Sequence, residues 1–159
     1  MTRDHSPMQL VPIEETDAAL SPAIAVGSVA AEVVAATVAL YSRRGYEPPW
    51  IGYLALKGSE FIGACGFAGP PKCGEAEIAY FTFPGNEGRG VATEMARELL
   101  RISRNAASHG SIRFIAHTLP EEGASTTVLR RLGFSLEGEV VLPEDGTVWK
   151  WSELGRGGD

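Results

Sequence analysis

A change of hydrophobic period at Pro84–Gly90 constrains this chain more than any other feature. Before it lie β-rich runs at Trp50–Leu56, Phe61–Phe67 and Glu75–Phe83. After it, Val91, Ala92, Met95, Ala96, Leu99 and Leu100 recur at helical spacing, while Glu94, Arg97, Glu98, Arg101 and Arg104 share the opposite face. A strand therefore passes through Pro84-Gly85-Asn86-Glu87-Gly88-Arg89-Gly90 straight into a long amphipathic helix. The first-turn amides of such a helix lack intrahelical acceptors and carry partial positive charge. Gly88 and Gly90 permit close approach to the backbone and Arg89 adds a full charge, so Gly88–Thr93 suits an anion such as pyrophosphate. The glycines run GxxGxG rather than the dinucleotide order GxGxxG, and Val91-Ala92 stands where a P-loop needs Lys-Ser/Thr. On the glycines alone, a connection with no ligand remains open.

Around this junction the spacing predicts a first strand at Met8–Ile13 and a short helical turn over Glu14–Leu20. A second, Ala-rich helix over Val29–Ser42 is stopped by Gly45 and Pro48-Pro49. Lys57–Glu60 reads as a hairpin turn and Ala68–Gly74 as a second connection. Beyond the amphipathic helix come a strand at Arg113–Thr118, a short helix at Ala124–Leu132 closed by Gly133, and a hairpin of Ser135–Leu142 and Thr147–Trp151. Strands, helices and antiparallel runs in this order make a single α/β (α+β) domain over residues 1–154, with one mixed, mostly antiparallel sheet flanked by helices, and a loose tail at 155–159.

Charge and cysteine usage exclude several partners. With 159 residues and a net charge of -6, the chain lacks the basic face that a nucleic-acid binder needs. An acidic surface would steer a cationic substrate. Cys65 and Cys73 alone make no disulfide scaffold, and with no apolar segment behind Met1-Thr2-Arg3 the chain reads as cytoplasmic. Ala19–Leu40 contains Pro22 and Glu32 and is dominated by Ala, so no membrane span is expected. Cys65, Cys73, His109 and His117 do not follow zinc-ligand spacings, and no metal is expected.

Four motifs in order carry a resemblance: Glu77-Ile78-Ala79-Tyr80, then Gly88-Arg89-Gly90-Val91-Ala92-Thr93-Glu94, then His117-Thr118-Leu119-Pro120-Glu121, then Ala124-Ser125 with Val128–Phe134. Together they resemble the GNAT superfamily of acyl-CoA-dependent N-acetyltransferases, most of all its RimL-like branch, over roughly residues 50–151. The resemblance implies acetyl-CoA as co-substrate, an amine acceptor, and a monomer or homodimer. It implies pantetheine contacts where the strand splays at Phe81, Thr82 and Phe83, pyrophosphate contacts at Gly88, Arg89, Gly90, Val91, Ala92 and Thr93, and a pantetheine-side position at Gly123. Glu87 stands where the family usually has Gln or Arg, and Gly123 where it usually has Asn.

Acetyl transfer to an amine asks for a base, an oxyanion donor and an acid for the leaving thiolate. An alkylammonium, with a pKa near ~10.4, must lose its proton before it attacks. Glu75 and Glu77, two apart on a strand, share a face and either could accept that proton; the resemblance favours Glu77. A backbone amide near Phe81–Phe83 would hold the oxyanion. Many relatives place a Tyr on the last helix as acid, where this chain has Leu129; Ser125 is then the polar candidate, with Tyr80 behind it. His117 reads as a structural strand residue, and Ser125 with His117 lacks the turn of a hydrolase nucleophile. Trp50 and Tyr46 could line an acceptor cleft or pack on the sheet. The expected activity is N-acetyl transfer by direct attack in a ternary complex; the alternative is a non-catalytic acyl-CoA-binding module on the same fold.

Overall fold

The computed structural model describes residues 7–16, 24–106 and 112–153. His109, the tail at 155–159 and all but the start of the expected Glu14–Leu20 turn lie outside the described residues; residues 15–16 form a bend. The elements run β1 (Met8–Pro12), α1 (Val29–Arg44), β2 (Gly52–Lys57), β3 (Glu60–Phe67), β4 (Glu75–Thr82), α2 (Val91–Ala106), β5 (Arg113–Thr118), α3 (Ala124–Arg131), β6 (Phe134–Leu142) and β7 (Gly146–Glu153). The strands form one sheet in the order β1-β2-β3-β4-β5-β7-β6. Among the described strands, only β4 and β5 pair in parallel. That step is the one α2 spans, because a parallel pair needs a crossover and a hairpin cannot supply it.

Local chemistry sets the element ends. Ser28 caps α1 by accepting from the Ala31 N–H at 3.1 Å, and Gly45, at φ 99°, closes it by donating to the Tyr41 carbonyl at 2.8 Å. The helix runs past Ser42 to Arg44; two cations in its last turn suit the partial negative charge there. β2 begins at Gly52 rather than at Trp50, since Trp50 and Ile51 donate backward to the carbonyls of Glu47 and Pro49 in a turn. Tyr41 then ties the first third of the chain together: its hydroxyl donates to the Ile13 carbonyl at 2.7 Å and accepts from the Gly52 N–H at 2.9 Å.

The helices sit on opposite faces of the sheet. A Cβ at Gly63 would lie 2.8 Å from Met95 of α2, whereas one at Gly52 would lie 2.8 Å from Thr37 of α1. The α2 face expected from the sequence is the buried one, with Met95, Ala96 and Leu99 fully inside. Leu129, Phe134 and Trp151 complete the core at the β5–β7 end. Trp151 donates its indole N–H to Thr118 Oγ1 at 3.0 Å, which keeps a buried polar group satisfied. No described helix is long and apolar enough to cross a membrane.

Candidate functional site

The sheet parts at one place. β4 and β5 pair at Glu75↔Arg113, Ala76↔Phe114 and Glu77↔Ile115. Beyond that, β4 continues to Thr82 paired with β3 alone, and β5 continues to Thr118 paired with β7 alone. The splay expected at Phe81–Phe83 therefore opens earlier along β4, just past Glu77.

Backbone direction assigns what faces this opening. Glu77 accepts at its carbonyl from the Ala68 N–H at 3.0 Å, and Phe83 donates to the Ile62 carbonyl at 2.9 Å, so these residues direct their main chain toward β3. Alternation then turns the N–H and C=O groups of Tyr80 and Thr82 into the split. Of the expected Phe81, Thr82 and Phe83, only Thr82 presents an amide there. The Phe81 ring is 49% exposed, and Phe83 is buried.

Side chains divide by the same alternation. Glu75, Glu77, Ala79 and Phe81 leave β4 on the α1 face, and Ile78, Tyr80 and Thr82 on the α2 face. On the α1 face, Glu75 is 3.1 Å from Lys150 Nζ, so its charge is already matched. Glu77 Oε2 stands 3.0 Å from His117 Nδ1, a close approach that lacks hydrogen-bond alignment. Nothing in the spacing of these two residues along the chain joins them. The parallel register does, because it sets Glu77 beside Ile115 and places His117 on the same face one pleat further along.

On the α2 face, Tyr80 donates its hydroxyl to the Ser125 carbonyl at 3.0 Å, bringing the start of α3 against β4. Burial pushes the Tyr80 phenol up to about 12, so it stays a donor across the ordinary pH range. Ser125 is exposed, and its hydroxyl makes no hydrogen bond among the described residues. The capping role falls instead to Thr126, whose Oγ1 accepts from the Gly123 N–H at 3.0 Å and lies 2.9 Å from Glu122. Arg130 grips that Glu122 carboxylate with its two terminal guanidinium nitrogens and holds its pKa down to about 2.

The glycine turn has the shape of an anion cradle. Gly88 and Gly90 adopt φ of 76° and 75°, and a Cβ at either would meet nothing within 4 Å. Gly90 begins α2 by accepting from the Glu94 N–H at 3.0 Å, and among the described residues no side chain caps the amides of Val91, Ala92 and Thr93. Thr93 Oγ1 is buried in that first turn without a hydrogen-bond partner among the described residues. Glu87 does not occupy the cradle: its carboxylate accepts from the Gly85 N–H at 2.8 Å, at the start of the loop. Arg89 is exposed beside it.

A family model described as an acetyltransferase (GNAT) domain matches residues 9–135. The chain belongs to the GNAT acetyltransferase family. No curated protein matches it by sequence. Among solved structures, this GNAT chain is similar to RimL, a ribosomal L7/L12 alpha-N-protein acetyltransferase, in complex with coenzyme A. The two are 22% identical at a TM-score of 0.66, each covered over 96% of its length. A spermidine N-acetyltransferase chimera of Vibrio cholerae SpeG and hSSAT is 16% identical at a TM-score of 0.66, covering 92% of this chain and 95% of its own. The microcin C7 self-immunity acetyltransferase MccE, in complex with acetyl-CoA and AMP, is 18% identical at a TM-score of 0.60, covering 78% of this chain and 69% of its own. At these identities the likeness is one of fold, and it agrees with the mixed sheet and flanking helices described above. The chain is thus an acyltransferase by family.

Beside the split, on the α1 face, lies a cavity of about 450 Å³. Its floor is a row of small residues across three strands, Gly52, Gly66 and Ala79, held in register. Tyr41 and Trp50 wall it, and Trp50 also packs edge-on against Phe67 with ring centres 5.0 Å apart. Trp50 thus lines this cavity and packs on the sheet. Tyr46 instead donates to Glu14 at 2.8 Å.

Proposed function

We propose that this GNAT chain transfers an acetyl group from acetyl-CoA to a primary amine by direct attack, at the opening between β4 and β5. The observation that carries the reading is that this opening begins immediately beyond Glu77, with that carboxylate on one face and the Ser125 end of α3 on the other. Acetyl-CoA supplies an activated acyl carbon and a thiolate leaving group. The pyrophosphate rests on the amides of Val91, Ala92 and Thr93, approached closely over Gly88 and Gly90, with Arg89 adding charge. Pantetheine follows the split past Thr82 toward Gly123, and Phe81 and Phe83 support the strand from the α1 face.

The acceptor enters from the cavity on the α1 face. Glu77 takes the ammonium proton directly or through one water, and the neutral nitrogen attacks the thioester carbon. His117 holds the Glu77 carboxylate in place. The Tyr80 or Thr82 N–H, aimed into the split beyond the last β4–β5 pair, stabilises the carbonyl oxygen as it gains charge. The C–S bond then breaks as the nitrogen gives up its second proton, which the Ser125 hydroxyl, exposed on the opposite face, relays with water to the departing sulfur, so that Ser125 ends neutral. Entry of acceptor and thioester from opposite faces brings nucleophile and leaving group to the acyl carbon without competing for one channel.

Two measurements test this reading. Saturating acetyl-CoA at about 100 times its Kd is expected to stabilise the fold by ~2.7 kcal/mol. Thiol release should then appear with some members of an amine panel. Stabilisation without release from any amine would establish the non-catalytic binding module, and absence of stabilisation would remove the cofactor site altogether.

A further inference from the structure

We infer that the amine accepted here carries an anionic group, a carboxylate, close to its reactive nitrogen; this rests on the transferase reading above. A second cleft, of about 460 Å³, joins the acceptor cavity at Arg44, Ala68 and Gly69, and Glu77 lies in its wall. Arg43, Arg44 and Lys72 also line it, against the carboxylates of Glu75 and Glu77. Glu75 is matched by Lys150. The chain as a whole is acidic, but around the base the sign is reversed.

The cations are built into this position. Arg44 donates to the Ala68 carbonyl at 3.1 Å, which ties its guanidinium to the β3–β4 connection. Lys72 is anchored beside Glu75 by reciprocal backbone hydrogen bonds of 2.9 Å across the Cys73-Gly74 turn, where φ is 52° and 77°. Arg43 and Lys72 have no carboxylate partner among the described residues. The partial negative charge at the end of α1 accounts for cations in its last turn. It does not account for Lys72, which reaches the same cleft from a different element. Glu144 and Asp145 line the far cavity but not this cleft, so these two carboxylates stand at the other end of the groove from Arg43 and Lys72. An amine placed at Glu77 sets its neighbouring atoms among the cations. A carboxylate there gains charge-assisted hydrogen bonds, whereas a second ammonium meets like charge.

Either a free amino acid or an acidic protein N-terminus has this chemistry. The test compares thiol release from acetyl-CoA by the full chain with Ser-Glu-Glu, amidated Ser-Gln-Gln, amidated Ser-Lys-Lys, free serine and spermidine. Ser-Glu-Glu is expected to exceed amidated Ser-Gln-Gln at least tenfold in kcat/KM, with Ser-Lys-Lys and spermidine lowest. Free serine matching Ser-Glu-Glu would assign the site to amino acids, and free serine falling well below it to acidic N-termini. Lys72→Glu and Arg43→Glu should each lower the acidic-to-neutral ratio tenfold. Arg97→Glu, the same charge change on the exposed face of α2, should leave that ratio unchanged. A preference for spermidine, or an acidic preference that survives both cleft reversals, overturns the inference. If no amine releases thiol, the transferase reading fails. The cleft is then judged by calorimetric titration of the three peptides into CoA-saturated protein, where equal affinities overturn it.

Discussion

At the residue scale, the site depends on pairings that cross between strands. Glu77 was recognisable as one of two adjacent strand carboxylates, but its distinction from Glu75 comes from partners remote in sequence: Lys150 neutralises one and His117 approaches the other. Glu77→Gln is expected to lower kcat/KM by 10²–10⁴-fold, the usual worth of a positioned base, with acetyl-CoA affinity unchanged. A calorimetric Kd measured beside the rate checks both halves, and full turnover in the variant would remove the base assignment. His117→Ala should lower kcat less than Glu77→Gln does and shift the pH–rate profile, because it acts through the carboxylate; an unchanged profile would leave His117 a packing residue. The two thiols should also differ. Cys65 is buried and its pKa is pushed up to about 12 by desolvation, whereas Cys73 is exposed in a turn. One equivalent of an alkylating reagent should react with the native protein, and the second only after unfolding.

At the scale of elements, the strand–turn–helix unit was the most legible part of the chain, because a switch from period 2 to period 3.6 is written directly in the side chains. The buried face of α2, its start after Gly90 and the capping of α1 by Ser28 all follow from local chemistry. The burial of Thr93 Oγ1 did not, since it depends on what packs over the first turn. An unpartnered buried hydroxyl costs about 1–3 kcal/mol. Thr93→Val is therefore expected to raise the melting temperature of the ligand-free protein while weakening acetyl-CoA binding. A raised melting temperature with unchanged affinity would assign Thr93 to packing alone. Gly66→Ala tests the sheet instead. Its Cβ would lie 2.7 Å from Gly52 Cα and from the Ile51 carbonyl oxygen, so backbone must move, at a cost of about 1–3 kcal/mol in a denaturation midpoint.

At the scale of the molecule, the buried acids couple stability to alkaline pH. Burial raises Tyr53, Tyr80 and Cys65 each to about 12, from ordinary values of 10.0 for the phenols and 9.0 for the thiol. The unfolded chain therefore releases these protons first as pH rises. Their contribution to stability is complete below about pH 9 and is lost between there and pH 12. Urea midpoints should fall across that window, and Tyr53→Phe should flatten the fall; a flat profile in the parent protein would contradict the burial of these groups. Whole-chain charge was the least informative quantity for the site. It indicated a cationic acceptor, but the cleft beside Glu77 is lined by Arg43, Arg44 and Lys72, because α1 and the β3–β4 turn converge there.

By itself, the amino-acid sequence determined the order of strands and helices, the buried face of α2, the glycine turn before it and the membership that its four motifs implied. All but the membership rest on short-range spacings, the range over which backbone period and capping act, and each of the four motifs is itself local. Only the tertiary structure decided where β4 leaves β5, which amides face that opening, that His117 meets Glu77, and that the cleft is locally cationic. Each depends on register between segments distant along the chain, and register is set by how the whole sheet packs between its helices.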